Sequence, residues 1–230
     1  MKRILDWLLP NLCLWCLQPL ASTEIQICAH CNAQLPRLSL QQDQLGQCQI
    51  ASNLADFQLD GLLSVSWYQL PWSRWIVQWK FHRDLAAAQA LLHQFKIACQ
   101  FWRQLGLSAD AVAYVPMQRW RRWWRGFNQA EQLAQVAAET LQLPLWHGLQ
   151  STQRWHQVGR SGRLRRQHQR RFMLQTEQVP RHLLLIDDVI TTGSTCNQLA
   201  QLLKAAGCDT IIVLTLAITP HPSMPARPDI

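Results

Sequence analysis

An unbroken aliphatic run at 183–186, followed at once by Asp187 and Asp188 and then by a polar turn at 191–195, leaves few folds open to this chain. Such a run reads as a parallel strand buried on both faces, and the acids end it. Thr191, Thr192, Gly193, Ser194 and Thr195 are small or hydroxylated. Their backbone N–H groups can crowd round a phosphate while the hydroxyls add hydrogen bonds. Leu199, Leu202, Leu203 and Ala206 then recur at helical spacing up to Gly207, so the turn opens a helix whose N-terminus favours an anion. In an open α/β sheet, ligands bind at the carboxyl ends of the strands, where this turn falls. A sugar phosphate bearing a pyrophosphate needs acceptors for its ribose hydroxyls and usually a divalent cation, and adjacent acids can supply both, directly or through metal-bound water. The competing reading is a solvated strand-to-helix loop with ordinary caps; the gapless order of strand, acid pair, turn and helix argues against it.

A second constraint lies near the start. Cys13 and Cys16 form one Cys-x-x-Cys knuckle and Cys28 and Cys31 another, a zinc-ribbon spacing that places four thiolates round one structural Zn²⁺. His30 is an alternative fourth ligand. Asp6 and Pro10 interrupt the leucine-rich N-terminus, so no cleaved signal is expected, and no apolar run reaches membrane-span length. The expectation is a cytoplasmic protein whose cysteines are reduced or metal-bound. A Gln-rich passage at 41–53 reads as a connector, which gives a zinc-binding unit at 1–50, an α/β domain at 51–220 and a disordered Pro-rich tail at 221–230.

Within the larger domain, strands are predicted at 62–68, 111–115, 145–149 and 210–218, with a Trp-rich helix at 71–81. Asp84 caps a longer helix with Leu85, Ala88, Leu92, Phe95, Cys99 and Trp102 on one face, and Gly106 ends it. Lys80 and Arg83 fall at the junction of these helices, where a cation faces either a ligand or solvent. Asn128 caps a further helix in which Ala130, Leu133, Ala134, Ala137 and Leu141 share a face.

The charge is localised. Residues 116–172 carry eleven arginines against Glu131 and Glu139, an excess of +9 in a chain of net charge +8. A polyanion is the natural partner of such a surface. Ahead of Asn128, a cationic loop leaves the strand at 111–115, and Gly126 allows it a tight backbone. Arg122 and Arg125 are its candidate pyrophosphate contacts. Trp120, Trp123 and Trp124 beside Arg121 give the composition of a single-stranded nucleic-acid surface, with bases stacked on indoles. The alternative is that these indoles pack the loop onto the domain. Residues 154–171 add seven arginines and no acid, as in a mobile lid or a nucleic-acid-binding arm.

The paired Cys knuckles, the Trp-Lys-Phe step at 79–81, the Val-Pro step at 115–116 followed by Arg-Gly-Phe-Asn at 125–128, and the acid-pair loop together resemble the ComF/GntX family of competence-associated proteins. The acid-pair loop alone resembles the phosphoribosyl-pyrophosphate (PRPP) loop of type I phosphoribosyltransferases. The resemblance implies a phosphoribosyltransferase-like parallel sheet flanked by helices with a small N-terminal zinc-ribbon-like domain, and a role in handling incoming single-stranded DNA in natural transformation or the use of external DNA as a nutrient. It further implies that Asp187 and Asp188 bind ribose hydroxyls or Mg²⁺, that 191–195 hold the 5-phosphate of PRPP, and that Arg122, Arg125, Gly126 and Asn128 belong to a pyrophosphate loop. Gln157 and Arg165 match the family's mobile-loop pattern. Either the site turns over, displacing pyrophosphate from C1 with a nitrogen nucleophile, or the fold serves chiefly as a DNA-binding module; a protein partner such as a DNA-uptake helicase is a third use of the basic surface.

Overall fold

The computed structural model describes residues 11–41, 43–45, 58–152 and 172–219. Gln157 and Arg165, the tail and most of the Gln-rich connector lie outside these residues. In chain order the elements are α1 (Ala29–Gln34), β1 (Gly61–Trp67), α2 (Trp72–Val77), which runs into a π-helical turn (Gln78–His82), α3 (Leu85–Gln104), β2 (Ala111–Tyr114), α4 (Arg119–Arg125), α5 (Gln129–Leu141), β3 (Leu149–Ser151), β4 (Phe172–Leu174), β5 (His182–Ile190), α6 (Ser194–Ala205) and β6 (Thr210–Ile218).

Strands β1, β6, β5 and β2 pair in that order, all parallel, and β3 and β4 form a separate antiparallel pair. Alternation along each strand divides the core into two layers. Leu184 and Ile186 of β5 join Val65, Val112 and Leu214 under α2, α3 and α5, whereas Leu183 and Leu185 join Ala113, Ile211 and Val213 under α6. The aliphatic run is therefore continuous because both faces of β5 are covered, as expected of a central parallel strand.

Connectivity positions the site. From β2 the chain passes through α5 to Leu145, which bridges in parallel to Val112 on the side of β2 away from β5. From β5 it passes through α6 to β6, the other way. The helices of the two crossovers lie on opposite faces, so a crevice opens between the carboxyl ends of β2 and β5, the usual place for a ligand in a sheet of this kind.

Four expectations need correction, the first being the strand at 145–149: Leu145 makes only an isolated bridge, and the strand there is β3, Leu149–Ser151. The strand at 183–186 does not end at the acids: β5 runs on to Ile190, with Asp187 paired to Thr215 and Val189 to Ala217. The cationic stretch before Asn128 is a helix, α4, and not a loop. On α3, Leu91 is buried and Leu85 is 76% exposed, so the first residue beyond the cap does not belong to the buried face. The cap itself is as expected: Asp84 accepts a hydrogen bond from the Ala87 N–H at 3.0 Å. Asp84→Ala is expected to cost about 1 kcal/mol, read as a lower urea midpoint at unchanged slope; an unaltered midpoint would show that the cap contributes nothing.

The segment after α1 covers the free edge of β1. Leu38 N–H donates to Val65 O, Gln44 N–H to Leu62 O, and the Gln44 side chain accepts from Ser64 N–H. An edge that would otherwise offer unpaired backbone groups is thereby closed.

Candidate functional site

The crevice is built by β5, α4 and the π-helical turn. Asp187 and Asp188 sit on consecutive residues near the end of β5, close enough for the Asp188 side chain to act on the Asp187 carboxyl. Asp188 forms an ion pair with Lys80, Nζ to Oδ2 at 2.6 Å, and the two side chains are only 15–16% exposed. Its backbone carbonyl accepts from the Thr215 hydroxyl at 3.0 Å, which ties it to β6. Asp187 Oδ1 accepts from the Asp188 N–H at 2.8 Å, and Oδ2 lies 3.7 Å from the Cys196 thiol. Burial pushes the Asp187 carboxyl up to about 8, and the neighbouring Asp188 charge adds to this; the Asp188 N–H and the Lys80 charge oppose it. Burial likewise raises the Cys196 thiol, with the Asp187 charge adding to the effect.

The turn after β5 has the form the sequence suggests. Gly193 adopts φ 71°, a left-handed conformation suited to glycine, and its carbonyl accepts from Asn197 N–H as α6 begins. Thr191 and Thr192 are exposed, and Ser194 and Thr195 half-buried.

Helix α4 is too short to stand by its own hydrogen bonds. It buries no residue of its own and is held from outside. Phe81 of the π-helical turn meets Trp124 with ring centroids 6.3 Å apart, Trp79 stacks on Phe127, and Arg83 donates to Trp124 O at 3.2 Å. Gly126, at φ 85°, closes the helix by donating its N–H to Arg122 O, and Asn128 then caps α5 by accepting from Ala130 N–H while donating to Val115 O. Trp120, Trp123 and Trp124 are 47%, 87% and 58% exposed, so these indoles do not pack the segment into the core. Arg121 lies over the Trp120 ring at 5.3 Å and Arg125 over the Phe81 ring at 4.9 Å. Arg125 is also close enough to Asp188 for that charge to favour its ionised form, against burial, which disfavours it. Arg122 is partly spent: its guanidinium pairs with Glu131 at 3.0 Å, and Glu131 also accepts from the Tyr114 hydroxyl.

The crevice thus brings together Asp188, Lys80 and Arg125, with Asp187 next to Asp188 and within the influence of both the Asp188 and Lys80 charges. Reading the sequence singled out Asp187, Asp188, Arg122 and Arg125 but not Cys196 or Glu131; the structure brings Arg125 to Asp188 and leaves Arg122 on Glu131. It flagged Lys80 only as a cation at a helix junction; the helix expected over 71–81 gives way at Gln78 to a π-helical turn, and that turn carries Lys80 to Asp188.

At the other end of the chain, the four cysteines converge. Their sulfurs all lie within 4.8 Å of one another, Cys16 and Cys28 at 3.8 Å. Tetrahedral Zn²⁺ with bonds of about 2.3 Å separates its sulfurs by about 3.8 Å, so the donor set fits that ion. Burial opposes ionisation of Cys13, but N–H groups of Cys16, Cys28 and Trp15 aimed at its sulfur outweigh it and bring its pKa down to about 7. His30 is exposed and stands outside the cluster. Cys13 and Cys31 are buried in the same core as the sheet; Trp15 packs edge-on against Trp75, and Arg37 ties Asn32 of α1 to Gln94 of α3. Among the described residues, no helix is long and apolar enough to cross a membrane.

Over 91% of its length the chain is similar to the DNA utilization protein YhgH of Salmonella typhi, 34% identical and spanning 98% of that protein. It is 31% identical to DNA utilization protein YhgH of Escherichia coli strain K12, again over 98% of that protein. It is 29% identical, over 90% of each chain, to competence protein F of Haemophilus influenzae. No protein-family model matches. Among solved structures it overlays with a TM-score of 0.41 on glutamine phosphoribosylpyrophosphate amidotransferase from B. subtilis, 20% identical over 57% of this chain and spanning only 28% of that one. On a hypoxanthine-guanine-xanthine phosphoribosyltransferase the TM-score is 0.37, with 14% identity over 62% of this chain and 71% of that one.

Proposed function

Because this chain belongs to the ComF/GntX family, with DNA utilization protein YhgH and competence protein F, we propose that it handles single-stranded DNA in the cytoplasm and carries, beside the DNA surface, a pocket for a PRPP-type ligand. One observation carries this reading: α4 exposes three indoles among its arginines, and the same helix brings Arg125 into the field of Asp188. Bases stack on Trp120, Trp123 and Trp124 while Arg121 meets the phosphates. In the pocket, Asp187 and Asp188 accept from ribose hydroxyls, the turn at 191–195 holds the 5-phosphate, and Arg122, Arg125 and the backbone at Gly126 and Asn128 face the diphosphate. Of the two carboxylates, Asp188 is the one already held by an ammonium group, that of Lys80. Zn²⁺ in the cysteine cluster is structural, since all four positions are filled by protein ligands.

Fluorescence anisotropy with a labelled oligonucleotide tests the DNA half. Trp123→Ala is expected to weaken binding by about 1–3 kcal/mol, and affinity should fall steeply with salt. Glu131→Gln, which releases Arg122 from its ion pair, should tighten binding; Arg122→Ala should weaken it. Wild-type affinity in both Trp123→Ala and Arg122→Ala would overturn the DNA surface. Turnover is a second reading, favoured by the succession of acid pair and hydroxyl-rich turn on one strand–helix unit, and checked by assaying pyrophosphate release from PRPP against a panel of nitrogen bases.

A further inference from the structure

Lys80 is placed with more care than a solvated lysine requires. The π-helical turn that carries it buries Trp79 on one side and sets Phe81 against α4 on the other. The turn closes with Arg83 in the left-handed region at φ 54°. Insertions of this kind in a helix cluster at functional positions. Its effect is to hold an ammonium group at 2.6 Å from Asp188, with most of both side chains removed from solvent. Among the described residues Asp188 is the only ion-pair partner of Lys80, and an ammonium has three donors.

Arg125 adds an independent sign. Its guanidinium lies on the Phe81 ring and enters no ion pair among the described residues, and its Nε is buried without a hydrogen-bond partner. A buried cationic N–H left without an acceptor is costly. An anion entering the crevice supplies one.

A divalent cation would have difficulty here. Mg²⁺ gives up its water reluctantly and is held through carboxylates that are free to face it. At Asp188 it would have to displace a cation already in contact, in a setting where leaving that ammonium unpaired is itself unfavourable. Lysine, by contrast, serves well as a point charge for phosphate.

We infer that Lys80, together with Arg125, takes the place of a divalent cation in this crevice, so that the diphosphate of a phosphoribosyl ligand is held by side-chain cations and needs no Mg²⁺. This rests on the pocket proposed above and assigns its ion requirement. Lys80 keeps one donor on Asp188 and offers the others to diphosphate oxygen, while the Arg125 Nε–H gains its acceptor. No bond is made or broken in this step.

Calorimetric titration of the full chain with PRPP tests it, in buffer freed of divalent ions by chelating resin and again with added Mg²⁺. Resin is preferred to a soluble chelator so that the cysteine cluster keeps its metal. The wild type should bind in both media with affinities within about threefold of each other. Lys80→Met, checked for folding by its thermal melt, should bind at least about tenfold more weakly without Mg²⁺ and recover part of the loss when Mg²⁺ is added, because Asp188 is then free for the ion. A wild type that binds PRPP only with Mg²⁺ overturns the inference and leaves the pocket standing. So does a folded Lys80→Met that binds without Mg²⁺ as tightly as the wild type. No binding in either medium overturns the pocket as well.

Discussion

Removing the Zn²⁺ proposed for the four-cysteine cluster is expected to destabilise the whole described fold, lowering its thermal midpoint by about 10 °C. Structural zinc sites contribute roughly 10–16 kcal/mol of apparent binding energy in isolated peptides, and the question is how much of that reaches the sheet. Here the route is direct. Cys13 and Cys31 lie in the same hydrophobic cluster as Trp72, Trp75 and Leu91. Trp15, inside the first knuckle, meets Trp75, and Trp72 Nε1 donates to Pro36 O just beyond the second. Release of the metal frees both knuckles, and with them the support for α2. Because α2 runs straight into the turn carrying Lys80, the disturbance should reach Asp188 too. Chelation or Cys31→Ser should therefore shift the single melting transition and change tryptophan fluorescence together. If the knuckles formed an independent unit, chelation would alter fluorescence while the sheet melted at its original temperature. If no metal is bound, metal analysis will find no zinc and chelation will change neither.

How far the fold was legible from the sequence depended on where each residue's reason for its conformation lay. β6 was read at its observed limits because both of its faces are buried and its β-branched run is self-contained. The cysteine cluster was legible for a similar reason: two knuckles at ligand spacing bring their partners with them. β5 was read short because acids rarely lie inside buried strands, yet the ladder to Thr215, Ala217 and Ile218 continues past them, and the crevice at that end of the sheet gives the carboxylates room. The helicity of α4 was missed because seven residues of Arg and Trp carry no inward stripe; its conformation is imposed by Phe81, Arg83 and Gly126, none of which lies in it. The partner of Lys80 was hidden for the same reason, since Asp188 is far away in sequence and only the closed sheet brings the two together.

The acid pair offers the sharpest test of this site, because the same substitution at neighbouring positions should change stability in opposite directions. Asp187 keeps its proton up to about pH 8 in the fold but would release it near 3.8 when unfolded. Its pKa is raised on folding, so between those values the folded state binds the extra proton, and stability falls as pH rises through the window and levels off above it. Asp187→Asn removes that dependence while keeping an oxygen for the Asp188 N–H. The residue is not wholly sealed from water, which trims the effect, so the variant should be more stable than the wild type at pH 8 by a few kcal/mol and little different near pH 4. Asp188→Asn does the reverse: it leaves the Lys80 ammonium shielded and unpaired, and should cost about 1–3 kcal/mol. Urea denaturation of the three proteins across pH 4–9 separates these outcomes. Equal destabilisation by both variants, or a wild-type pH profile unchanged in Asp187→Asn, would mean that Asp187 is not held protonated by its surroundings. If Asp187→Asn is more stable yet fails to bind PRPP in the same calorimeter, the wild-type acid is kept at a cost to the fold for the sake of the ligand, as expected of a binding group and not of a packing one.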